Sequence, residues 1–230
     1  MKTIGLLGGM SWESTLTYYR LINEAVRDRL GGLHSAECVL YSVDFEPIER
    51  LQSAGSWDAA GAILADAARR IESAGADFLV LCTNTMHKVA PLIEAAIEIP
   101  LLHLADATGE AVRSAGFATV GLLGTRFTMA EDFYRGRLVE RHGLEVLVPS
   151  EPERELIDRV IFEELCVGKC LDRSRGRYLE IIARLAERGA QAVILGCTEI
   201  SLLVEPADTS VPLLDTTAIH AERAVDWALA

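Results

Sequence analysis

Two stretches of the chain end an apolar run in small polar residues able to hold or move a proton. The first is Leu79-Val80-Leu81-Cys82-Thr83-Asn84-Thr85-Met86-His87 and the second is Val193-Ile194-Leu195-Gly196-Cys197-Thr198-Glu199-Ile200. Each apolar run has the length and residue types of a buried strand, and a helical pattern follows at once. Backbone N–H groups at such a helix start can hold an anion or favour a thiolate. Cys197 stands just before one, so acid–base work by its sulfur is expected. The competing reading is a buried free cysteine acting as a small hydrophobe. When the stretches are aligned on their turns, Thr83 falls on Cys197 and Cys82 falls on Gly196. Cys82 therefore reads as core. Cys38, Cys166 and Cys170 sit in apolar patterns and read as structural too. His87, one helical turn past Thr83, can orient a ligand or a hydroxyl, or simply pack.

Other chemistries find little support. Gly8-Gly9-Met10-Ser11 is only a weak phosphate loop, because the chain lacks both the G-x-G-x-x-G and the G-x-x-x-x-G-K-[ST] patterns. The lysines are Lys2, Lys88 and Lys169, and none is placed to carry pyridoxal; Lys88 is expected to be solvated. Cys166-x3-Cys170 has no second ligand pair beside it, so no metal is expected. A formal net charge of −12 disfavours nucleic acid as a partner. No apolar run is long enough for a bilayer. The N-terminus runs straight into a strand without a signal-peptide pattern, and five cysteines without disulfide-like spacing suit a reducing cytoplasm.

The elements that must position these turns alternate strand and helix. Strands are expected at 3–9, 38–43, 77–82, 100–104, 120–124, 144–148, 193–196 and 211–214, and helices at 12–30, 57–74, 85–97, 106–115, 128–142, 153–166 and 174–188. In the first helix Leu16, Tyr19, Ile22, Val26 and Leu30 form the apolar series, with Ser11 or Ser14 as its cap. The pattern restarts midway. Val120-Gly121-Leu122-Leu123-Gly124 repeats Ile4-Gly5-Leu6-Leu7-Gly8, Gly189-Ala190 answers Gly75-Ala76, and Val211-Pro212-Leu213-Leu214 answers Ile99-Pro100-Leu101-Leu102. Matched anchors at a nearly constant offset imply an internal duplication. The fold class is α/β: two pseudo-symmetric lobes, each a mostly parallel sheet flanked by helices. Lobe 1 is 1–104 with 215–230, and lobe 2 is 105–214. Ligands in such sheets bind at the carboxyl ends of strands, which hold all the turns above, so the active site is expected in a cleft between the lobes.

The pair Cys82-Thr83-Asn84-Thr85 and Gly196-Cys197-Thr198-Glu199, with Gly8-Gly9-Met10-Ser11-Trp12 at the start, resembles the aspartate/glutamate racemase family over essentially the whole chain. Gly9-Met10-Ser11-Trp12-Glu13-Ser14 and Cys82-Thr83-Asn84-Thr85-Met86-His87 are similar to its broad-spectrum branch. The resemblance implies a cofactor-independent enzyme, usually a homodimer, acting on a small amino acid. One thiolate takes the Cα proton and an opposite thiol returns one to the other face, with no metal, nucleotide or pyridoxal. It marks Thr83 and Cys197 as catalytic, and Met10, Ser11, Gln52, Asn84, Thr85, Thr128, Thr198 and Glu199 as substrate-binding. It also implies a basic grip on a distal carboxylate, for which 47–52 offers Arg50 beside Gln52.

The sequence departs from the pattern at Thr83, where the family has a cysteine. The resemblance places the second-half cysteine on the face from which an L-enantiomer loses its proton. A hydroxyl is no base at neutral pH, so a bias toward L-substrates is expected. Two further readings stay open: a single-cysteine decarboxylase of malonate-type acids on the same fold, and a small-acid binding protein without chemistry.

Overall fold

A computed structural model describes all 230 residues. The chain divides into two compact units, residues 1–104 with 220–230 and residues 105–219. The first contains β1 (Ile4–Gly8), α1 (Trp12–Leu30), β2 (Cys38–Ser42), α2 (Phe45–Ser53), α3 (Trp57–Ser73) and β3 (Phe78–Leu81). A short 3-10 helix, Thr85–Val89, then runs into α4 (Ala90–Glu94), followed by β4 (Leu101–Leu102) and α5 (Leu104–Ser114), whose first residue closes the unit. The second unit continues with β5 (Thr119–Gly124), α6 (Arg126–Ala130), α7 (Arg135–His142), β6 (Glu145–Leu147), α8 (Glu151–Glu163), α9 (Asp172–Glu187), β7 (Ala192–Gly196), α10 (Ile200–Leu203) and β8 (Leu213–Asp215). The last helix, α11 (Thr216–Leu229), returns the chain to the first unit at His220.

Each unit has one four-stranded sheet, ordered β2-β1-β3-β4 and β6-β5-β7-β8. Every pairing is parallel. The same strand order recurs in both halves, as the repeated anchors imply, and the fold is α/β. Burial on both faces explains the continuous apolar strands. In the first unit, Ile4, Leu6, Phe78, Val80 and Cys82 face α1 and the end of α11. Leu7, Leu79 and Leu81 face α3. This period-two division assigns each residue of the Cys82 strand to a face. Close helix–sheet approach needs a glycine at Gly5, where an added Cβ would lie 2.4 Å from the Ile71 side chain.

Several local expectations change. The buried face of α1 is Thr15, Tyr18, Ile22 and Val26, whereas Leu16, Tyr19 and Leu30 are exposed. Tyr18 can be buried because its hydroxyl reaches His220 Nδ1 at 2.9 Å, and a satisfied tyrosine takes the core in preference to Leu16, two positions away on the other face. The cap of α1 is Ser11, which accepts from the Ser14 N–H. The helix expected over 85–97 is the 3-10 turn plus the short α4, and that over 128–142 breaks between α6 and α7. An unexpected helix, α2, carries Arg50 and Gln52. Cys170 is exposed, not set in an apolar pattern, and Cys38 and Cys166 are half-buried. No helix is long and apolar enough to cross a membrane.

Candidate active site

In the first unit the exits of β1 and β3 lie side by side, since the Cys82 N–H donates to Leu7 O at 2.9 Å. At the β1 exit, Gly9 has φ +97° and a Cβ there would meet Val43 O at 2.2 Å, so only glycine fits. Its N–H donates to Thr15 Oγ1 at 2.8 Å. Met10 packs in the core and Ser11 is occupied as the α1 cap, both nearly buried. At the β3 exit, Thr83, Asn84 and Thr85 are all buried. The turn is tied down by its own backbone, with the Thr83 N–H donating to Leu81 O at 2.9 Å and the His87 N–H to Asn84 O at 3.1 Å. Gln52 is buried beside this turn, with Nε2 2.7 Å from Met86 Sδ. Arg50 points elsewhere: it is largely exposed and pairs with Glu46 at 2.5 Å. Lys88 stacks over the Trp57 ring at 4.0 Å instead of standing free in solvent. Cys82 is fully buried, and burial pushes its thiol far above the ordinary range.

In the second unit the exits of β5 and β7 are likewise adjacent, with Gly124 paired to Gly196. An added Cβ on Gly196 would lie 2.7 Å from Leu123 O, so the residue before Cys197 must be glycine. Thr128 is fully buried, its hydroxyl meets that of Thr125 at 3.2 Å, and its N–H is capped by the Thr125 side chain. Cys197 is partly exposed. Its Sγ donates to Glu199 Oε2 at 3.0 Å, and Thr198 Oγ1 donates to the same oxygen at 2.7 Å.

This geometry corrects one expectation. The helix after Cys197 is only the four-residue α10, too short for much of a dipole, and the Glu199 backbone N–H that favours a thiolate is outweighed by burial and by the Glu199 carboxylate. Burial first, and then the Glu199 carboxylate charge, push the Cys197 thiol well above its ordinary value. At rest the group is a neutral thiol hydrogen-bonded to the Glu199 side chain. Glu199, expected to contact substrate, accepts hydrogen bonds from Cys197 and Thr198. No group of three or more His, Cys, Asp and Glu residues stands together as a metal cage.

Residues that sequence reasoning did not single out lie beneath the Thr83 turn. His220, His103 and Tyr18 are buried there around His87. An open groove of about 600 Å³ on the second unit, lined in part by Arg126, Arg154, Asp158 and Phe162, contains none of the expected site residues.

Comparison with known proteins bears on this arrangement. The model of the Asp/Glu/Hydantoin racemase family matches residues 7–224. The broad specificity amino-acid racemase RacX of Bacillus subtilis is 21% identical over 235 residues, covering 99% of this chain and 98% of its own. A crystal structure from Yersinia pestis, provisionally assigned as an Asp/Glu racemase, superposes with a TM-score of 0.94 at 55% identity and full coverage of both chains. An aspartate racemase homologue from Pyrococcus horikoshii OT3 gives a TM-score of 0.87 at 35% identity, again over the whole of both chains.

Proposed function

Because the chain belongs to the Asp/Glu/hydantoin racemase family, and is thus an isomerase of amino acids, we propose that it inverts a small amino acid at Cα without a cofactor, using Cys197 as its main acid–base group. The observation that carries this reading is the Cys197 Sγ to Glu199 Oε2 contact of 3.0 Å at the carboxyl end of β7. The thiol proton passes to Glu199, the thiolate takes the Cα proton, and the carbanion is left to be protonated on its other face. A base poised this way needs no resting thiolate, because proton transfer follows once substrate arrives. Backbone and side-chain donors of Asn84 and Thr85, with the backbone N–H of Thr198, are the groups we assign to the α-carboxylate, where charge develops.

Thr83 serves the opposite face. Its hydroxyl cannot abstract a proton at neutral pH, but it can deliver one directly or relay one from a water, since donation to a carbanion asks far less of it. The reading therefore includes a bias to L-substrates. The substrate side chain is of the aspartate/glutamate size class, and the assembly is a cytoplasmic homodimer.

The neutral thiol favours a second reading as well. A thiol with a raised pKa is suited to protonating an enolate once, which is all that a decarboxylase of malonate-type acids requires. Incubation in deuterated water with a panel of amino acids in both configurations, and with malonate-type acids, separates the two. Cα deuteration with inversion supports the racemase, and release of carbon dioxide supports the decarboxylase. Saturable binding with neither outcome refutes both.

A further inference from the structure

The chain passes between its two units twice, at Leu104/Ala105 and at Ile219/His220. A buried histidine is fastened at each crossing. The Leu104 N–H donates to His87 Nε2 at 3.2 Å. Since Nε2 accepts there, the proton of this imidazole sits on Nδ1, where it is donated to Thr83 O at 2.7 Å. His220 carries the reverse tautomer: Nε2–H donates to Leu102 O at 2.8 Å, and Nδ1 accepts from the Tyr18 hydroxyl at 2.9 Å. The rings stand in edge contact, with centroids 4.6 Å apart for His87 and His103 and 6.0 Å for His87 and His220. Both crossings thus leave the first unit from one buried patch, and that patch also holds the backbone of Thr83.

We propose that His87 is a positioning residue, fixing the carbonyl of Thr83 and with it the Thr83 wall to the point where the chain leaves the first unit. With both ring nitrogens already committed, it takes no part in proton transfer to substrate. Nothing else on the side chain is needed for this role, so each bond can be imitated separately. Asparagine places an N–H near the Nδ1 position and can keep the Thr83 bond. Glutamine places a carbonyl near the Nε2 position and can keep the Leu104 bond. The division of labour between walls rests on the reading of Thr83 given above, while the fastening itself does not.

Two measurements test it. The first is nitrogen NMR of the imidazoles in the unmodified protein. The proposal requires a single His87 tautomer protonated on Nδ1 and a His220 protonated on Nε2; a His87 proton on Nε2, or rapid exchange between tautomers, overturns it. The second compares His87→Asn with His87→Gln by thermal melting and by deuterium exchange at Cα. For His87→Gln, inversion should slow by roughly tenfold or more in kcat with little change in KM, while exchange retained on the Cys197 face changes much less, because displacement of one wall affects one step. His87→Asn, which keeps the Thr83 bond and gives up only the Leu104 one, should slow inversion several-fold less than His87→Gln even if its melting temperature is lower. Activity that simply follows melting temperature across both variants, or inversion unaffected by both, overturns the proposal. If the parent exchanges no Cα proton of any amino acid, the racemase reading falls and the tautomer measurement alone decides the fastening.

Discussion

Cys82→Ala separates the two turns most sharply. Cys82 is fully buried in the cluster that holds Leu6, Tyr18, Val80, Leu102 and Val225, and its thiol makes a weak hydrogen-bond contact to Val80 O at 3.8 Å. Deleting the sulfur removes about one methylene's worth of transfer free energy, roughly 0.8 kcal/mol. A sulfur-sized void of about 25–30 Å³, at about 24 cal/mol per Å³, adds about 0.6–0.7 kcal/mol. The total is about 1–2 kcal/mol, and at roughly 2–4 °C per kcal/mol for a chain of this size the melting temperature should fall by about 3–6 °C. Cα exchange should keep most of its rate, because Cys82 points into the α1 and α11 side of the sheet. Calorimetry and deuterium exchange on the purified variant check both halves. A Cys82→Ala protein that melts like the parent yet exchanges no Cα proton would refute the assignment of Cys82 to the core, and with it the choice of Thr83 for the first wall.

Cys197→Ala should abolish Cα exchange from either enantiomer, and retention of the parent rate would remove Cys197 from the mechanism. In Glu199→Gln the proton acceptor is lost and the thiol loses a neighbouring negative charge, so activity should fall at pH 7 and recover partly as the pH is raised toward the now lower thiol pKa; an unchanged pH–rate profile would count against the pair. Thr83→Cys should raise proton abstraction from D-substrates and overall racemisation together, whereas the parent should show clear L-side and slow D-side turnover, with matched kcat/KM ratios because the equilibrium constant is near one. Equal and fast exchange from both enantiomers in the parent, with no gain in Thr83→Cys, would mean another group serves that wall. Burial lowers the pKa of His220 from 6.5 to about 4, so the unfolded chain takes up this proton first as the pH falls. His220 therefore contributes stability above pH 6.5 that is lost progressively toward pH 4, about 3 kcal/mol in all. Urea unfolding of the parent and of His220→Asn across that range should show the steeper loss only in the parent.

The sheets were legible because parallel strands buried on both faces read as unbroken apolar runs, and because matched anchors in the two halves supplied each assignment twice. The α1 face was misread for a physical reason: Tyr18 is buried by virtue of a bond to His220, a residue far away in the chain, and no local periodicity reports such a partner. The state of Cys197 was misread similarly. Its position after a strand was correct, but the helix beyond it is four residues long, and the orientation of Glu199 toward the sulfur depends on side-chain rotamers that spacing does not specify. Arg50 looked available from its place near Gln52, yet helix positions two apart diverge by about 200°, and the pair splits between the buried turn and an exposed ion pair with Glu46.

The same alternation explains why a cysteine one residue early cannot replace the one missing at Thr83. Phe78, Val80 and Cys82 belong to one apolar cluster, while Leu79 and Leu81 belong to the other. Along an extended segment a shift of one residue moves a side chain to the opposite face. Cys82 therefore ends the row that packs on α1, and its thiol is held neutral by burial. Thr83 is the first residue past that row. The second half solves the same step with the order reversed: Gly196 takes the crowded position, where a Cβ would strike Leu123 O, and the sulfur comes one residue later, beside a carboxylate. The second half thus has a thiol hydrogen-bonded to a carboxylate, and the first has a hydroxyl beside a buried thiol. The chemical inequality of the two halves lies in this one-residue displacement of cysteine, together with Thr85 standing where the second half has Glu199, which is why Thr83→Cys, and not any change at Cys82, is the substitution that should bring a thiol to the first wall.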